Sequence, residues 1–555
     1  MNKKEIFFLA IILLACVFLH LLAIGKIPPG ITNDEAGVGY DAYSILKTGK
    51  DQWGNFLPLE FKGFGDYRLP VFTYSAVPFI YFFDLSPFSI RLTSLMYSLF
   101  LAGAVYLLAK KLFNSTIGLF SCLLVVLLPW SFSMTRIAIE SPPALFFTVL
   151  GVYLLLKANS NGKYFLFSFL CFVVSFYTYY SVRLFVPLLL IVYFAIYKKQ
   201  ILKQKKWLII SFILAFILCL PIGKSLISGG GGARLLQTNI SHDVGVLNNL
   251  NEKRGACLEN LPFPICRLVY NKPAAFGQKL ANNYLNHFSL NFLFFDSQAK
   301  GVLGSSALCY FSLLPLFFIG LVFLLFKRSK EGWLLIAWLA ISPLADSLTS
   351  EGHFSRSFLM IVPLCIISAV GGYWLYQKSL HSIKISILAG ILFLLLLFET
   401  GTFCVDYFFH YPKFYSIYTH YEYQPLFDYL CQNKKDYPQI YISRRYRDTK
   451  QYVFYLFYCK YDPAKFQQGE NVDWEIEKDG WIWVKKIGKW NFAASMPELE
   501  SIPSGSLLIG VAKEEIAQLP KQGDIRVKPI KTIKYLNGDP AFSIVQLIKE
   551  QPNDF

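Results

Sequence analysis

The chain has 555 residues, 54% of them hydrophobic and 17% aromatic, against roughly 45–50% apolar in a soluble globular protein. The excess sits in long runs, which excludes a purely soluble enzyme and marks a polytopic membrane protein. The net charge of +17, from 53 Lys and Arg against 36 Asp and Glu, is better explained by basic cytoplasmic loops and a basic extramembrane tail than by nucleic acid, which is not an expected partner.

Residues 6–24 form the first apolar segment, with His20 its only strongly polar residue. Lys3 and Lys4 precede it as in a signal peptide, and Ala23-Ile24-Gly25 weakly resembles a cleavage site. The run exceeds the roughly 7–15 residues of a signal core, so it reads as a retained anchor. Pro28-Pro29-Gly30 then breaks the chain ahead of Thr32-Asn33-Asp34-Glu35. Adjacent carboxylates close to a membrane boundary point to chemistry or ion handling. They also fit a helix start, with Asn33 or Asp34 capping a helix that carries Ala36, Val38, Tyr40 and Tyr43. The two readings are compatible.

Further apolar segments follow at about 92–109, 117–132, 142–156, 164–180, 184–197, 207–222, 307–326, 333–345, 357–376 and 383–401, giving about 11–13 spans. Alternate connections carry Lys110-Lys111, Lys157 and Lys163, Lys198-Lys199, Lys327-Arg328, and Lys378 with Lys384. The positive-inside rule then places the N-terminus in the cytoplasm and the tail outside. Residues 1–402 are expected to form the membrane domain, with outer loops at 26–91 and 223–306. Residues 71–83 read as a helix in the membrane interface. Gly223-Lys224-Ser225 resembles a nucleotide loop, but Leu218 stands where a glycine is required, so that reading is discarded.

The tail, 403–555, opens with an aromatic belt at 407–423 and continues as a small soluble α/β domain outside the membrane. Residues 439–443, 452–458, 481–484 and 506–512 read as strands, and Tyr535-Leu536-Asn537-Gly538-Asp539 as a hairpin turn before 542–547. The fold class is therefore mainly α, a transmembrane helical bundle with a C-terminal extracytoplasmic α/β domain. Outside the membrane, Cys257 with Cys266 and Cys431 with Cys459 are the pairs able to form disulfides, although sequence does not show pairing. No Cys/His spacing resembles a zinc site.

Four polar groups recur on the outer side: Asp34-Glu35; Asp66-Tyr67-Arg68-Leu69-Pro70; Arg136-Ile137-Ala138-Ile139-Glu140; and Glu351-Gly352-His353-Phe354-Ser355-Arg356. Each has a simpler reading. Arg68 and Arg356 fit snorkelling boundary residues, Glu140 a helix-terminal charge, and His353 a structural histidine. Together, acids beside Arg and His make a mixed-charge cavity suited to a phosphate leaving group and a hydroxyl or amine nucleophile. Arginine grips phosphate with a planar fork, and a carboxylate takes the proton of the attacking group.

These stretches, with Pro87-Phe88-Ser89-Ile90-Arg91-Leu92, resemble the GT-C superfamily of integral-membrane glycosyltransferases. The resemblance is to bacterial relatives of dolichyl-phosphate-mannose–protein mannosyltransferase and lipid A aminoarabinose transferase, in order and topology over about residues 1–400. It implies inverting transfer of a sugar from a polyprenyl-phosphate carrier to an extracytoplasmic protein, lipid or glycan acceptor, without a nucleotide sugar. Asp34 matches the family's base and Glu140 a second acidic position, with Glu35 the third catalytic candidate. Asp66, Arg68, Arg136, His353 and Arg356 are the expected substrate and lipid-phosphate ligands. Arg68 stands where relatives often carry Lys followed by two prolines; here Leu69-Pro70 follows. Ala36 and Gly37 supply no basic group after the acid pair, unlike the aminoarabinose transferase. No cofactor is implied with certainty, and a divalent metal stays an open requirement. A transporter of lipid-linked sugar would place charges at mid-span and show repeated halves; neither is evident. A catalytically dead scaffold, its tail binding a surface polymer, is the third reading, and the intact Asp34, Glu140 and Arg356 argue against it.

Overall fold

A computed structural model of the chain describes residues 3–65, 67–228, 240, 244–295, 300–432, 437–443, 450–476, 481–493, 498–519 and 525–549. Asp66 lies outside the described residues. The elements begin with helices α1 (Lys3–Leu21) and α2 (Asn33–Thr48), a short antiparallel pair β1 (Phe61–Lys62) and β2 (Tyr67–Arg68), and α3 (Pro70–Phe83). Then come α4 (Pro87–Leu112), α5 (Ser115–Leu127), α6 (Pro129–Met134), α7 (Ser141–Ala158), α8 (Tyr164–Phe176), α9 (Val182–Leu202) and α10 (Lys205–Ser228). Helices Leu313–Lys327, Lys330–Ile341, Ile361–Ser379 and Ile383–Val405 complete the bundle.

Every expected apolar segment contains a helix. Among the described residues seven helices are long and apolar enough to cross a membrane. Others, such as α5 and α8, are shorter, at 13 residues each. Phe212 and Phe216 on α10, and Ile383 and Phe398 on the last long helix, face outward. Apolar surface of that extent needs lipid rather than water, so this is a multi-pass membrane protein. At the lysine-bearing end, Glu5 of α1 accepts hydrogen bonds from Lys110 Nζ and Ser115 Oγ, both at 2.6 Å, which ties α1 to the α4–α5 turn. Deep in the bundle, helices Leu313–Lys327 and Ile361–Ser379 touch backbone to backbone. A Cβ on Gly320 would lie 1.9 Å from the Ile367 carbonyl oxygen, and one on Gly371 1.9 Å from that of Leu316. This close crossing exists because both residues are glycine.

Thr32, rather than Asn33 or Asp34, caps α2. Its Oγ1 accepts from Glu35 N at 3.1 Å, while Glu35 Oε2 accepts from Thr32 N at 3.0 Å, a reciprocal capping box. The α3 helix is present as expected for 71–83. The helix beginning at Ile383 continues through Asp406–His410 and Tyr411–Tyr415, and Tyr407 and Tyr411 are buried in the bundle core.

The tail carries a seven-stranded mixed sheet in the order β4-β5-β6-β3-β7-β9-β8. Its strands are β3 (Ile440–Ser443), β4 (Val472–Ile476), β5 (Ile482–Ile487), β6 (Trp490–Ala493), β7 (Leu507–Val511), β8 (Ile525–Lys534) and β9 (Pro540–Lys549). Central β3 runs parallel to β6 and β7, and the outer pairs are antiparallel. The expected hairpin joins β8 to β9. Residues 452–458 are a correction: they form helix Gln451–Tyr458 rather than a strand, with Gln451 to Phe457 all buried. An apolar run buried on every side has neither helix nor strand period, so its pattern could not separate the two.

First outer loop and tail share one hydrophobic core, in which Ala36 and Tyr40 of α2 pack with Phe454 and Phe457. Tyr40 Oη donates to the Tyr461 carbonyl at 3.0 Å, and Ile482 N donates to Phe64 O at 2.7 Å. Gln467 Nε2 reaches Ser44 Oγ, Thr48 Oγ1 and Asp51 O, each at 2.9 Å. The tail is thus the floor on which the first loop is folded.

Both candidate disulfides are formed, Cys257–Cys266 and Cys431–Cys459. The second joins helix Tyr423–Gln432 to the end of helix Gln451–Tyr458 across 28 residues. Replacing both Cys431 and Cys459 by Ser is expected to destabilise the tail by about 3.5 kcal/mol, from loop-closure entropy. Thermal unfolding of the purified protein measures it; an unchanged melting profile would show that the bond adds nothing to the packing.

Candidate active site

The two acids that open α2 are one residue apart, hence about 100° apart around the helix. The structure gives them opposite environments. Glu35 is buried: Oε1 accepts from Arg91 Nε at 3.0 Å and from Ala138 N at 3.1 Å, while Oε2 accepts from Thr32 N and, at 3.4 Å, from Arg91 Nη2. Arg91, on the first turns of α4, spends its other donors on the carbonyls of Ile24 (3.2 Å), Pro28 (2.8 Å) and Gly30 (2.6 Å). Glu35 therefore organises the loop rather than facing an open cavity. Asp34 is exposed beside it.

Arg68, from β2, lies against α2. Its Nη1 donates to the Asp34 carbonyl at 3.2 Å and its Nη2 to Asp41 Oδ2 at 3.0 Å. A Cβ on Gly37 would sit 2.2 Å from Arg68 Nη1, so the missing side chain is what lets the guanidinium reach both groups. Burial pushes the Asp41 carboxyl up to about 7, while Arg68 and the two donors of Gln52 pull it down. Arg68 is consequently a buried neighbour of Asp34, fixed from the far side by Asp41.

Arg136 faces away from these groups. Its two terminal nitrogens donate to the carbonyls of Leu19, His20 and Leu22, each at 2.8 Å, and of Ile27 at 2.9 Å. The rings of Phe132, Tyr407 and Phe408 enclose it. A cation on the orphan carbonyls of a helix C-terminus is a clasp for α1. The same segment ends at half-buried Glu140, whose carboxylate does not cap α7.

His353 and Arg356 sit on a turn organised by Asp346. The Asp346 carboxylate accepts from His353 N at 2.5 Å, Ser350 Oγ at 2.6 Å and His287 Nε2 at 2.9 Å. Burial opposes its charge, but these bonds hold its carboxyl below the ordinary range. Arg356 Nη1 donates to Thr349 Oγ1 at 2.6 Å, and His353 stacks on Phe354.

The turn between α8 and α9 bridges the predicted groups. Tyr180 Oη donates to the Tyr67 carbonyl at 3.1 Å, one residue from Arg68. Tyr179 Oη lies 3.3 Å from Ser355 Oγ, which in turn meets Ser141 Oγ at 3.3 Å, beside Glu140. With Ala138 N on Glu35, single hydrogen bonds link the Asp34, Arg68, Glu140 and His353–Arg356 stretches at one end of the bundle. The two tyrosines stand between the segments of Arg68 and Arg356. Tyr179, Tyr180, Asp41 and Asp346 were missed by sequence reasoning. The tyrosine pair at a span boundary was the visible sign, easily taken for an interface belt. Among the described residues no three His, Cys, Asp or Glu side chains gather to hold a metal ion.

Residues 68–223 match the sequence profile of the dolichyl-phosphate-mannose-protein mannosyltransferase family. No curated protein sequence matches the chain. In fold it is similar to ArnT from Cupriavidus metallidurans bound to undecaprenyl phosphate, at 10% identity and TM-score 0.55, over 97% of each chain. It is also similar to the oligosaccharyltransferase of Archaeoglobus fulgidus, at 13% identity and TM-score 0.53, over 83% of this chain and 64% of that one. The AglB enzyme of that organism, in complex with an inhibitory peptide and a dolichol-phosphate, aligns with TM-score 0.52 at 13% identity, over 82% and 64% of the chains. The fold is that of the GT-C glycosyltransferases, as the sequence resemblance implied.

The contrast between the paired acids is measurable. Glu35→Ala strands Arg91 in a buried site and is expected to cost roughly 3–5 kcal/mol of stability. Asp34→Asn, at an exposed position, should melt with the parent. Thermal unfolding in one detergent compares them, and equal melting of the two variants would refute the structural role given to Glu35.

Proposed function

We propose that the protein is an inverting glycosyltransferase that moves a sugar from a polyprenyl-phosphate carrier to an acceptor outside the membrane. The observation that carries this reading is the division of labour at the start of α2. One acid is locked to an arginine and the loop backbone, which fixes its neighbour, Asp34, at the exposed surface beside a buried guanidinium. A carboxylate held in this way can accept the acceptor's proton as its oxygen attacks the anomeric carbon.

The departing carrier phosphate is assigned to Arg356 and His353, with Arg68 adding positive charge from the Asp34 side. Glu140 is the second acid of the site and orients the acceptor. Asp66 keeps its place as a candidate ligand. Arg136 is assigned the α1 clasp instead of a substrate contact. The fold relatives bound to undecaprenyl phosphate and dolichol-phosphate support a polyprenyl-phosphate donor. The lysine-rich loops at the other end of the bundle support a site, tail and acceptor outside the membrane, with the N-terminus in the cytoplasm.

Two measurements test this. General-base help is worth typically 10²–10⁴-fold, so Asp34→Asn should lose at least a hundredfold in single-turnover transfer while retaining donor binding. If Asp34→Asn keeps more than a tenth of the parent rate while Glu140→Gln is inactive, the base is Glu140. The topology is read at Gln468, exposed on the tail next to the tethered Gln467. Gln468→Cys should react with an impermeant thiol reagent in intact cells; protection there would place the tail, and the site, on the cytoplasmic face.

A further inference from the structure

Helix Lys272–Asn286, in the 223–306 loop, lies against the turn that carries His353 and Arg356. Its polar residues Lys279, Asn283 and Asn286, with His287 as its C-cap, recur at i, i+4, i+7 and i+8, which puts them on one face. Each of them bonds to the 346–351 stretch. Asn283 Nδ2 donates to the Ser347 carbonyl at 3.0 Å, Asn286 Nδ2 to the Glu351 carbonyl, and Lys279 Nζ to the Glu351 carboxylate. His287 Nε2 meets Asp346 Oδ2 at 2.9 Å. Just beyond the helix, the Phe292 ring meets the His287 ring, with centroids 5.5 Å apart, and lies against Gly352. A Cβ on Gly352, whose φ is +140°, would come within 3.0 Å of that ring, so glycine is what lets the turn pass this close.

The charge on His287 follows from its two partners. Nδ1 lies 2.7 Å from the Asn283 carbonyl oxygen, which can only accept, so Nδ1 carries a proton. Nε2 faces a carboxylate whose Oδ2 also receives the His353 N–H and whose Oδ1 receives the Ser350 hydroxyl, the surroundings of an ionised acid. Nε2 is therefore a donor as well, and a ring protonated on both nitrogens is an imidazolium. Histidine and aspartate are both fully buried, and a buried carboxylate requires a compensating charge. Lys279 is spent on Glu351, so His287 supplies it. From Asp346 the frame runs on to Arg356: Thr349 Oγ1 donates to the Asp346 carbonyl at 2.9 Å and accepts from Arg356 Nη1 at 2.6 Å.

We propose that His287, as a buried imidazolium carried by the 223–306 loop, is a positioning residue that sets the His353–Arg356 turn for the departing carrier phosphate. The assignment rests on the donor reading given above; His287 itself acts through Asp346 and not on the substrate. The test uses the full chain in detergent. Solid-state nitrogen NMR of the histidine-labelled parent at neutral pH, with the His287 ring assigned through its contact with Phe292, should show both ring nitrogens protonated. His287→Gln keeps a donor but loses the charge. Its affinity for undecaprenyl phosphate should fall about tenfold or more, the worth of one charge-assisted bond, and amides 346–357 should exchange faster with solvent deuterium. Asn286→Ala removes one neutral bond at the half-buried rim of the same face and should weaken affinity about threefold, so it decides the matter if His287→Gln fails to fold. A ring protonated on one nitrogen alone, unchanged exchange at 346–357, or parent-like affinity in the folded variant would each overturn this proposal and leave the donor reading standing. A parent that binds no undecaprenyl phosphate would overturn the donor reading, and this assignment with it.

Discussion

The buried pair of Glu35 and Arg91 is the constraint on which the site depends. Arg91 alone gathers three carbonyls from the loop that follows α1, and Glu35 binds both that arginine and the backbone of Ala138. Three chain segments, distant in sequence, are thereby fixed around one carboxylate. Such a pair is not efficient stabilisation, because desolvation consumes most of the Coulombic gain. Its value is specificity of arrangement. With Glu35 turned inward, helical geometry leaves Asp34 turned outward, so the burial of one acid determines the exposure of the other.

A second clasp supports the first. Arg136 takes up the carbonyls left at the end of α1, and its rings of contact come from Phe132 and from the aromatic continuation of the last long helix. The start of the site loop is thus held by α4 from one side and by the 132–136 stretch from the other. The shared core of α2 with the tail closes it from the tail side. A loop this heavily tethered can hold a carboxylate at a fixed distance from its partners, which proton transfer needs more than it needs a particular residue type. The tyrosines of the α8–α9 turn extend the same frame to Ser355 and hence to the His353–Arg356 turn.

Sequence displayed the scaffold more fully than the site. Apolar runs of adequate length announce helices, because a bilayer imposes its own thickness on them, and the order of polar stretches announced the GT-C resemblance. Both extramembrane cysteine pairs proved to be joined. Failures have specific causes. Residues 452–458 are buried on all sides and so carry no periodic signal. The cap of α2 moved to Thr32 because Glu35 answers it three residues on, a reciprocal bond visible as a Thr-x-x-Glu spacing. Arg136 and Glu35, read as site candidates in sequence, are bonded within the chain, and a buried clasp and a binding group use the same chemistry. Only the position of the carbonyls around Arg136 tells them apart, and those come from residues more than a hundred positions away.

The arginines of this fold sort by what completes them. Arg91 is satisfied by a carboxylate and loop carbonyls, Arg136 by helix-terminal carbonyls, and Arg68 is drawn to Asp41 and the Asp34 backbone. Each of these is completed from inside the chain and therefore rigid before any substrate arrives. Arg356, half-buried, has a threonine hydroxyl on one terminal nitrogen, a neutral partner that a phosphate oxygen would outcompete, since charge-assisted bonds are roughly twice as strong. The gradient from internally neutralised to weakly engaged cations runs from the α1 junction toward the open end of the bundle. Arg356 there keeps positive charge that the fold engages only weakly, while Asp34 is exposed on the first loop of the same frame. On the function proposed above, the separation of donor phosphate from base follows from where the fold leaves its charges incomplete.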